Sequence, residues 1–396
     1  MSRIILVAQE IGVFANIWHV GQHLGQRTSP RARQHGAQNF AVLLFRTALM
    51  PRSASLQGGD QIIRQIAYYE LGHEIALPRW MLSMISYPSR TLIVTVVALA
   101  LQAGALHAAD ATKPKYRSVG DITAAAPDSD WRTPDPANLL YLELATGRVI
   151  IELAPQFAPE HVDNIRTLAK AHFWDGTSIY RAQDNFVVQF GDIDADDPQH
   201  ARPLGQAKKH LPAEFHRPLQ GLAFDKLPDV DGWAKEVGFV EGFPVGRDPA
   251  KGIAWLAHCY GTVGAGRSDA DDSSIGTELY VTIGQSPRQL DDNITVVGRV
   301  LSGMELLSTI RRGPPPLGFY EEPRERTSIR SIRLASEIPA AQRTPLQVMR
   351  TNTRSFRDVT EARRNRVDGF YKRPAGHVDL CNAAIPTRTP PAGGKR

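Results

Sequence analysis

The stretch IYRAQDNFVVQFGD, residues 179–192, contains two short apolar runs separated by a polar turn. The first run ends at a charged residue, Arg181, and the second extends from Phe186 to Gln189 before a terminal Gly-Asp pair. Apolar, β-branched and aromatic residues on both sides of an Ala-Gln-Asp-Asn turn predict two adjacent strands. The question is whether Arg181 is a solvated strand residue or takes part in chemistry.

The neighbouring segments predict more strands than helices. Residues 140–144 and 149–153 lie on either side of a turn that contains a glycine, which is typical of a β-hairpin. Residues 155–170 carry the apolar spacing of a helix, with a proline suited to its first turn. Many strands with two widely separated helices favour a mainly β fold, a closed or nearly closed antiparallel barrel. Further strands are predicted at 253–259, 279–283, 295–301 and 328–334, and a second helix at 304–310.

Composition divides the chain around this predicted barrel, which spans 137–336. Residues 110–136 are rich in Pro, Asp, Ala and Thr and are typical of a linker. Residues 193–250 are rich in Pro, Asp and Gly and are predicted to form an insert that is mostly loop. Residues 337–396 form a basic C-terminal extension that we expect to be partly helical.

Charge is distributed unevenly along the chain, although the net charge is only +5. From residue 340 onward there are twelve Lys and Arg against four Asp and Glu, and residues 1–109 have nine against four. Residues 110–339 are therefore acidic, with a formal charge of −8. An acidic middle argues against a core that binds nucleic acid, whereas the basic tail leaves a further partner open.

Cys259 and Cys381 are the two cysteines of the chain. Two are too few for a disulfide scaffold or for a zinc site built from cysteines. In an oxidising compartment they could form one disulfide that links the tail to the core. Because sequence gives no distance between them, their pairing stays open.

No motif predicts a metal or a cofactor. Asp192, Asp194, Asp196 and Asp197 are spaced as in the start of a calcium loop, but the twelfth position is Pro203 rather than Glu. We interpret these aspartates as a solvated loop. The chain also contains no P-loop, no dinucleotide fingerprint and no nucleophile elbow, so nothing supports a nucleotide enzyme, a hydrolase or a metalloenzyme.

The uncharged run LIVTVVALALQAGAL at 92–106 predicts a secretory signal peptide over 81–109. About fifteen apolar residues are short for a membrane span, which needs roughly 20. Small residues leave the cleavage site open between positions 105 and 109. Met81 or Met84 stands where an initiator is expected, so we interpret residues 1–80 as a leader that comes from a start codon assigned too far upstream.

These features predict a periplasmic or secreted protein, with no stable insertion in the membrane after the signal is removed. The alternative is a genuine N-terminal extension with residues 92–106 acting as a short inner-membrane anchor. The sequence does not indicate the oligomeric state.

Three blocks of sequence follow one another in a specific order. Residues 179–192 contain Y-R…F-V-V-Q-F-G-D, residues 276–281 are G-T-E-L-Y-V, and residues 290–304 contain L-D…V-V-G-R-V…G-M. They resemble F-H-R…G-F-M-x-Q-G-G-D, G-S-Q-F-F-I and L-D…V-F-G-x-V…G-M of the cyclophilins, the barrel-type peptidyl-prolyl cis-trans isomerases. The resemblance covers about half of the chain. It implies a closed eight-stranded antiparallel β-barrel capped by two α-helices.

The resemblance also implies the residues of an active site. The implied catalytic residues are Arg181, Phe186 and Gln189. Arg181 would donate a hydrogen bond to the prolyl nitrogen, and Gln189 would hydrogen-bond the substrate backbone. Proline-containing polypeptides would be the substrates, and no cofactor or metal is needed. The implied substrate-binding residues are Val187, Tyr280 and Leu290 in an apolar proline socket that Phe186 also lines, Ala265, Gly266 and Arg267 along the groove for preceding residues, and Glu278 and Ile294 beside them.

The chain departs from the family pattern at several of these positions. Glu278 replaces a glutamine, and we expect its carboxylate to form a salt bridge with Arg181. At 265–267 the sequence Ala-Gly-Arg replaces Met-Ala-Asn, which predicts a wider and more positive groove. Ile294 takes the place of His or Tyr. Gln289 takes the place of the Trp with which many members hold cyclosporin, so we expect weak cyclosporin binding.

Two functions are therefore considered. The first is a peptidyl-prolyl isomerase that accelerates X-Pro rotation in exported proteins. The second is a catalytically weak module that keeps the barrel as a peptide-binding or chaperone surface. Retention of Arg181, Phe186 and Gln189 favours the first, and the altered groove keeps the second open.

Overall fold

The computed structural model describes residues 116–195, 197 and 199–391. The leader, the predicted signal peptide and the apolar run at 92–106 lie outside the described residues. Within the described part of the chain, no helix is both long enough and apolar enough to cross a membrane.

The described chain is mainly β. Its helices are α1 (Val119–Ala125), α2 (Pro159–Lys170), α3 (Met304–Ser308) and α4 (Arg354–Arg364). Its strands are β1 (Trp131–Arg132), β2 (Leu139–Leu144), β3 (Gly147–Leu153), β4 (Ser178–Ala182), β5 (Val187–Gly191), β6 (Arg217–Pro218), β7 (Asp225–Leu227), β8 (Glu236–Val240), β9 (Phe243–Asp248), β10 (Ile253–Leu256), β11 (Thr262–Ala265), β12 (Leu279–Thr282), β13 (Val296–Ser302), β14 (Thr327–Leu334), β15 (Gln347–Met349) and β16 (Thr387–Arg388).

Eight of these strands close into a barrel in the order β11-β12-β5-β4-β14-β2-β3-β13. Every neighbouring pair, including the closing pair β13 and β11, is antiparallel. Alternate residues of each strand point inward, and Leu140, Leu142, Val188 and Phe190 are among those that fill the interior. Burial of each such side chain stabilises the fold by about 1.5–3 kcal/mol. The predicted closed eight-stranded barrel is confirmed.

The helix α2 packs an apolar stripe against this core and begins at Pro159, four residues later than the start predicted at 155. Ala158 offers no side-chain cap. Instead the carboxylate of Glu214 accepts hydrogen bonds from the backbone N–H groups of Glu160 and His161, at 3.0 and 2.9 Å. The insert therefore caps the N-terminus of α2, where free N–H groups favour a negative charge. The second predicted helix is α3, whose Leu307 is also part of the barrel core.

Residues 193–250 are mostly outside regular structure, but they contain four short strands, β6 to β9, that were not predicted. These four strands form a five-stranded sheet with β10, which follows the insert, in the order β6-β10-β9-β8-β7. Its central hairpin joins β8 to β9 through Glu241 and Gly242, which both have positive φ, at 49° and 86°. Such a two-residue turn suits a hairpin. The strands were not predicted because the Gly, Pro and Asp residues between them are typical of loops.

The C-terminal extension is folded against the insert and the segment before the barrel. The strand β15 pairs with both β1 and β16, and Phe356 of α4 packs edge-on against Phe239 of β8 with ring centroids 5.0 Å apart. Ile122 of α1 belongs to the same apolar cluster, so the region interpreted as a linker contains a packed helix. Cys259 and Cys381 form a disulfide that joins the extension to the chain just before β11.

Candidate active site

The register of four barrel strands places Arg181, Gln189, Tyr280 and Gly264 in one row. Arg181 of β4 is paired with Gln189 of β5, Gln189 with Tyr280 of β12, and Tyr280 with Gly264 of β11. The sequence neighbours of these residues fill the barrel interior. They include Val188, which precedes Gln189, and Leu279 and Val281, which flank Tyr280. Because side chains alternate along a strand, the row lies on the outer face of the barrel.

Arg181 is half-buried and held by three internal hydrogen bonds. Its Nη1 donates to Gln189 Oε1 at 3.0 Å, its Nε donates to the carbonyl of Leu317 at 2.7 Å, and its Nη2 donates to Gln183 Oε1. A guanidinium has five N–H donors, so two remain for a substrate. Burial lowers the pKa of Arg181 from its ordinary value, yet an arginine side chain remains protonated in proteins.

Two aromatic rings flank the same guanidinium. Its central carbon lies 5.8 Å from the ring centroid of Phe186 and 4.9 Å from that of Phe319. Phe319 also stacks on Tyr180, with ring centroids 6.1 Å apart and planes 13° from parallel. The aromatic rings and the hydrogen bonds together fix the plane of the Arg181 guanidinium.

Glu278 does not form the expected salt bridge with Arg181. Within the described residues, its Oε2 instead accepts a hydrogen bond from the hydroxyl of Tyr180. The Tyr180 hydroxyl in turn accepts from Gln189 Nε2 at 2.7 Å. The pairing of β4 with β5 is irregular between Ile179 and Arg181, so Tyr180 and Arg181 both reach Gln189. The expectation failed because Tyr180, and not Arg181, then contacts Glu278.

The predicted socket residues differ in how far they are buried. Val187 precedes Gln189 by two positions on β5, so it shares the outer face, where it is buried. Tyr280 is 6% exposed, whereas Phe186, Leu290 and Ile294 are each partly exposed. A Cβ at Gly264 would overlap the Tyr280 hydroxyl, so this glycine makes room for the tyrosine ring.

The three groove residues differ in what they present. The side chain of Ala265 packs into the barrel interior, so it does not line a groove. Gly266 donates its N–H to the carbonyl of Glu278 at 2.8 Å. Arg267 donates to the carbonyls of Asn293 and Ser268, at 3.1 and 2.7 Å. Of the three, only Arg267 contributes a half-exposed charge.

Comparison with known proteins decides the family. Residues 139–334 match the family model of the cyclophilin type peptidyl-prolyl cis-trans isomerases. A peptidyl-prolyl cis-trans isomerase-like 1 of Bos taurus is 33% identical over 188 residues, which are 47% of this chain and 85% of that protein. The chain belongs to the cyclophilin family. Its barrel is accordingly a peptidyl-prolyl cis-trans isomerase domain.

Other relatives agree with this assignment. A probable peptidyl-prolyl cis-trans isomerase of Brucella suis biovar 1 is 27% identical over 196 residues, covering 50% of this chain and 80% of that protein. The crystal structure of cyclophilin AquaCyp293 from Hirschia baltica is 26% identical, with a TM-score of 0.50, and covers 63% of this chain and 92% of that one. That structure extends the similarity beyond the barrel of this cyclophilin.

Sequence reasoning missed a buried polar network behind the socket of this cyclophilin. His258 is fully buried, and its Nε2 lies 2.9 Å from the hydroxyl of Tyr280 while its Nδ1 lies 3.1 Å from Asp291 Oδ1. Arg288 donates to Asp291 at 2.6 Å and to Asp231 of the insert at 3.0 Å. The Asp231 carboxylate thus ties the insert to the base of the socket.

Burial and hydrogen bonding have opposite effects on the pKa of Asp291 in this network. Burial by itself would raise the pKa of Asp291, but hydrogen bonds from His258 and the charge of Arg288 hold it below its ordinary value. Burial raises the pKa of Tyr280, so its hydroxyl stays protonated. Of the residues in this network, Tyr280 and Asp291 belonged to recognised motifs, whereas His258, Arg288 and Asp231 did not. A histidine next to a cysteine carries no signal of its own in a single sequence.

The insert of this cyclophilin also reaches the groove side of the site. Phe215 lies under the guanidinium of Arg267, with 5.6 Å between the arginine carbon and the ring centroid. His216 contacts Asp292 at 2.5 Å in the loop that leads to Ile294. The insert therefore borders the groove. Among the described residues, no group of three or more His, Cys, Asp or Glu is arranged to hold a metal ion.

Proposed function

We propose that this cyclophilin accelerates cis-trans rotation of X-Pro bonds in exported proteins, with Arg181 as the residue that acts on the prolyl nitrogen. The observation that carries the proposal is the row on the outer face of the barrel. It joins a fixed guanidinium with two free N–H groups to the amide of Gln189 and the ring of Tyr280. The side chains of Phe186, Leu290 and Ile294 are partly exposed.

The chemistry needs no covalent intermediate. Rotation about a peptide bond faces a barrier of roughly 18–20 kcal/mol because of resonance between nitrogen and carbonyl. Twisting the bond breaks the resonance and localises a lone pair on the nitrogen. A preorganised donor at that nitrogen binds the twisted state better than either planar state. Arg181 is a suitable donor because its other hydrogen bonds and the two rings hold the guanidinium in place.

The remaining residues would hold the substrate. Phe186, Val187, Leu290 and Ile294 would contact the proline ring beside the aromatic face of Tyr280. Gln189 has both ends of its amide engaged, with Tyr180 and with Arg181. One of its N–H groups remains for the substrate backbone, since an amide nitrogen carries two. Arg267 would lie beside residues that precede the proline and would favour carbonyl-rich or acidic segments there.

We propose export because of two independent features. The run at 92–106 is typical of a signal peptide. Cys259 and Cys381 form a disulfide, and disulfides persist in oxidising compartments such as the periplasm. The same features are compatible with an inner-membrane anchor, which N-terminal sequencing of the natural protein distinguishes: a mature N-terminus between residues 105 and 110 supports cleavage, and one before Met81 contradicts it.

The test of the proposed function is a protease-free isomerisation assay with an Ala-Pro peptide, together with a binding measurement on the same peptide. We expect catalysed exchange well above the uncatalysed rate. Peptide binding without catalysed exchange would instead identify a peptide-binding or chaperone module, and would contradict the isomerase proposal.

A further inference from the structure

A chain of hydrogen bonds connects Glu278 to the guanidinium of Arg181. The Tyr180 hydroxyl donates to Glu278 Oε2, Gln189 Nε2 donates to the Tyr180 oxygen at 2.7 Å, and Arg181 Nη1 donates to Gln189 Oε1 at 3.0 Å. The two linking side chains belong to neighbouring strands, Tyr180 to β4 and Gln189 to β5, and Tyr180 is buried. Glu278 thus lies three hydrogen bonds from the proposed catalytic group.

The other oxygen of the Glu278 carboxyl group has no such partner. Its Oε1 is buried and makes no hydrogen bond. It lies so close to the backbone of Gly191 that a Cβ there would overlap it. Burial removes the hydration of this carboxyl group, which penalises its charged form.

We propose that Glu278 is a positioning residue whose loss of a proton weakens catalysis by acting on Arg181 through Tyr180 and Gln189. The proposal rests on the proposed role of Arg181. It gives Glu278 a role different from the salt bridge with Arg181 that the sequence predicted.

Burial and the charge of Asp192 raise the pKa of Glu278, whereas the hydrogen bond from Tyr180 lowers it. Tyr180 of β4 donates to it, and Asp192, which follows β5, adds a like charge whose carboxylate accepts from the backbone N–H of Arg202 at 2.6 Å. Arg267, beyond the end of β11, directs its guanidinium to backbone carbonyls. Burial, more than any neighbour, raises the pKa of Glu278 to about 8.

The direction of the effect follows from charge. A protonated Glu278 leaves the guanidinium as the dominant charge beside the prolyl nitrogen. An ionised Glu278 places a negative charge in the same low-dielectric region, which draws the Tyr180 hydroxyl and the Gln189 amide toward it and reduces the positive potential at the substrate. Catalysis should therefore decline as pH rises through about 8.

The experiment measures kcat/KM between pH 6 and pH 10 with a peptide that has no titrating group in that range. We expect the natural protein to lose roughly three- to ten-fold in kcat/KM across a single step, and Glu278→Gln to show no step, whatever its absolute activity. Glu305→Gln changes an exposed carboxylate on α3 and is the matched control, which should retain the step.

A second readout does not depend on catalysis. Because the folded state holds the Glu278 proton more tightly than the unfolded chain, the resulting stabilisation is complete below the ordinary carboxyl pKa of 4.5 and is lost as pH rises toward about 8. The melting temperature of the natural protein should therefore fall relative to that of Glu278→Gln over this interval.

Two results would overturn the inference: a flat kcat/KM profile in the natural protein, or the same step in Glu278→Gln. Either can occur while Arg181→Ala is inactive, in which case the proposed function stands and only the role of Glu278 fails. If Arg181→Ala is as active as the natural protein, the proposed function fails instead.

Discussion

At the scale of single residues, the site depends on the positions that face outward on four neighbouring strands. Arg181, Gln189 and Tyr280 were all predicted from the sequence because they belong to short blocks with a fixed order. The partner of Glu278 was not predictable, because an irregularity in the pairing of β4 with β5 decides whether Tyr180 or Arg181 contacts it. Strand register carries that information, and a linear sequence does not.

Gly264 is the residue whose substitution should damage the socket most directly. A Cβ there would meet the ring and hydroxyl of Tyr280. We expect Gly264→Ala to displace that ring, to lower stability by about 1–3 kcal/mol and to lower kcat/KM by roughly ten-fold. Denaturant unfolding and an isomerisation assay measure the two effects. Gly232→Ala is the matched control, since nothing lies within 4 Å of a Cβ at that position.

Natural levels of stability and activity in Gly264→Ala would show that Tyr280 does not require this space. The same loss in Gly232→Ala would show that the effect comes from the change of glycine itself.

At the scale of elements, the loop between α3 and β14 acts as an additional partner of β4. Gly313 donates its N–H to the carbonyl of Ala182 at 2.9 Å, and Ala182 donates to the carbonyl of Gly318 at 2.8 Å. The same loop supplies the Leu317 carbonyl and the Phe319 ring that hold Arg181. This role was not predicted, because a proline-rich loop has no periodicity that would indicate its contacts.

Phe319 tests whether the loop positions Arg181. Cation-π contacts of this kind contribute about 0.5–1 kcal/mol. We therefore expect Phe319→Ala to lower kcat/KM about two- to five-fold, with little change in the free energy of unfolding. Phe370→Ala removes a ring of similar size that is 79% exposed in the C-terminal extension, and it should leave kcat/KM at the natural value. Equal kcat/KM in the natural protein, Phe319→Ala and Phe370→Ala would contradict a positioning role for the loop.

Prediction succeeded best for the barrel elements. The alternating leucines of β2 and the apolar stripe of α2 are local patterns, and both elements formed close to the predicted positions. The strands β6 to β9 were missed, although β10 of the same sheet was predicted, because they are two to six residues long and owe their stability to tertiary neighbours. Pairing of β15 with β1, more than 200 residues apart, is likewise decided by tertiary packing.

At the scale of the whole molecule, the described chain combines a family barrel with a second apolar cluster. That cluster joins α1, β8 and α4 to residues around the disulfide. Asp231 links this region to the base of the socket through Arg288 and Asp291. The insert and the extension thus form a second packed region that contacts the site from behind.

The disulfide should stabilise this arrangement considerably. It joins residues 122 positions apart, and closing a loop of that size stabilises a fold by roughly 2–5 kcal/mol. We expect Cys381→Ser, or reduction of the natural protein, to lower the free energy of unfolding by that amount in a denaturant titration. If reductant leaves the unfolding midpoint unchanged, the disulfide contributes no stability.

The central claim is that Arg181 acts on the prolyl nitrogen, and the most direct test compares the natural protein with Arg181→Ala on one X-Pro peptide, measuring both kcat/KM and peptide affinity. Loss of a preorganised donor typically costs about 10²–10³ in rate. The account predicts a fall in kcat/KM of about that size, while the peptide still binds within a few-fold of its natural affinity. Equal kcat/KM in the two proteins would contradict it.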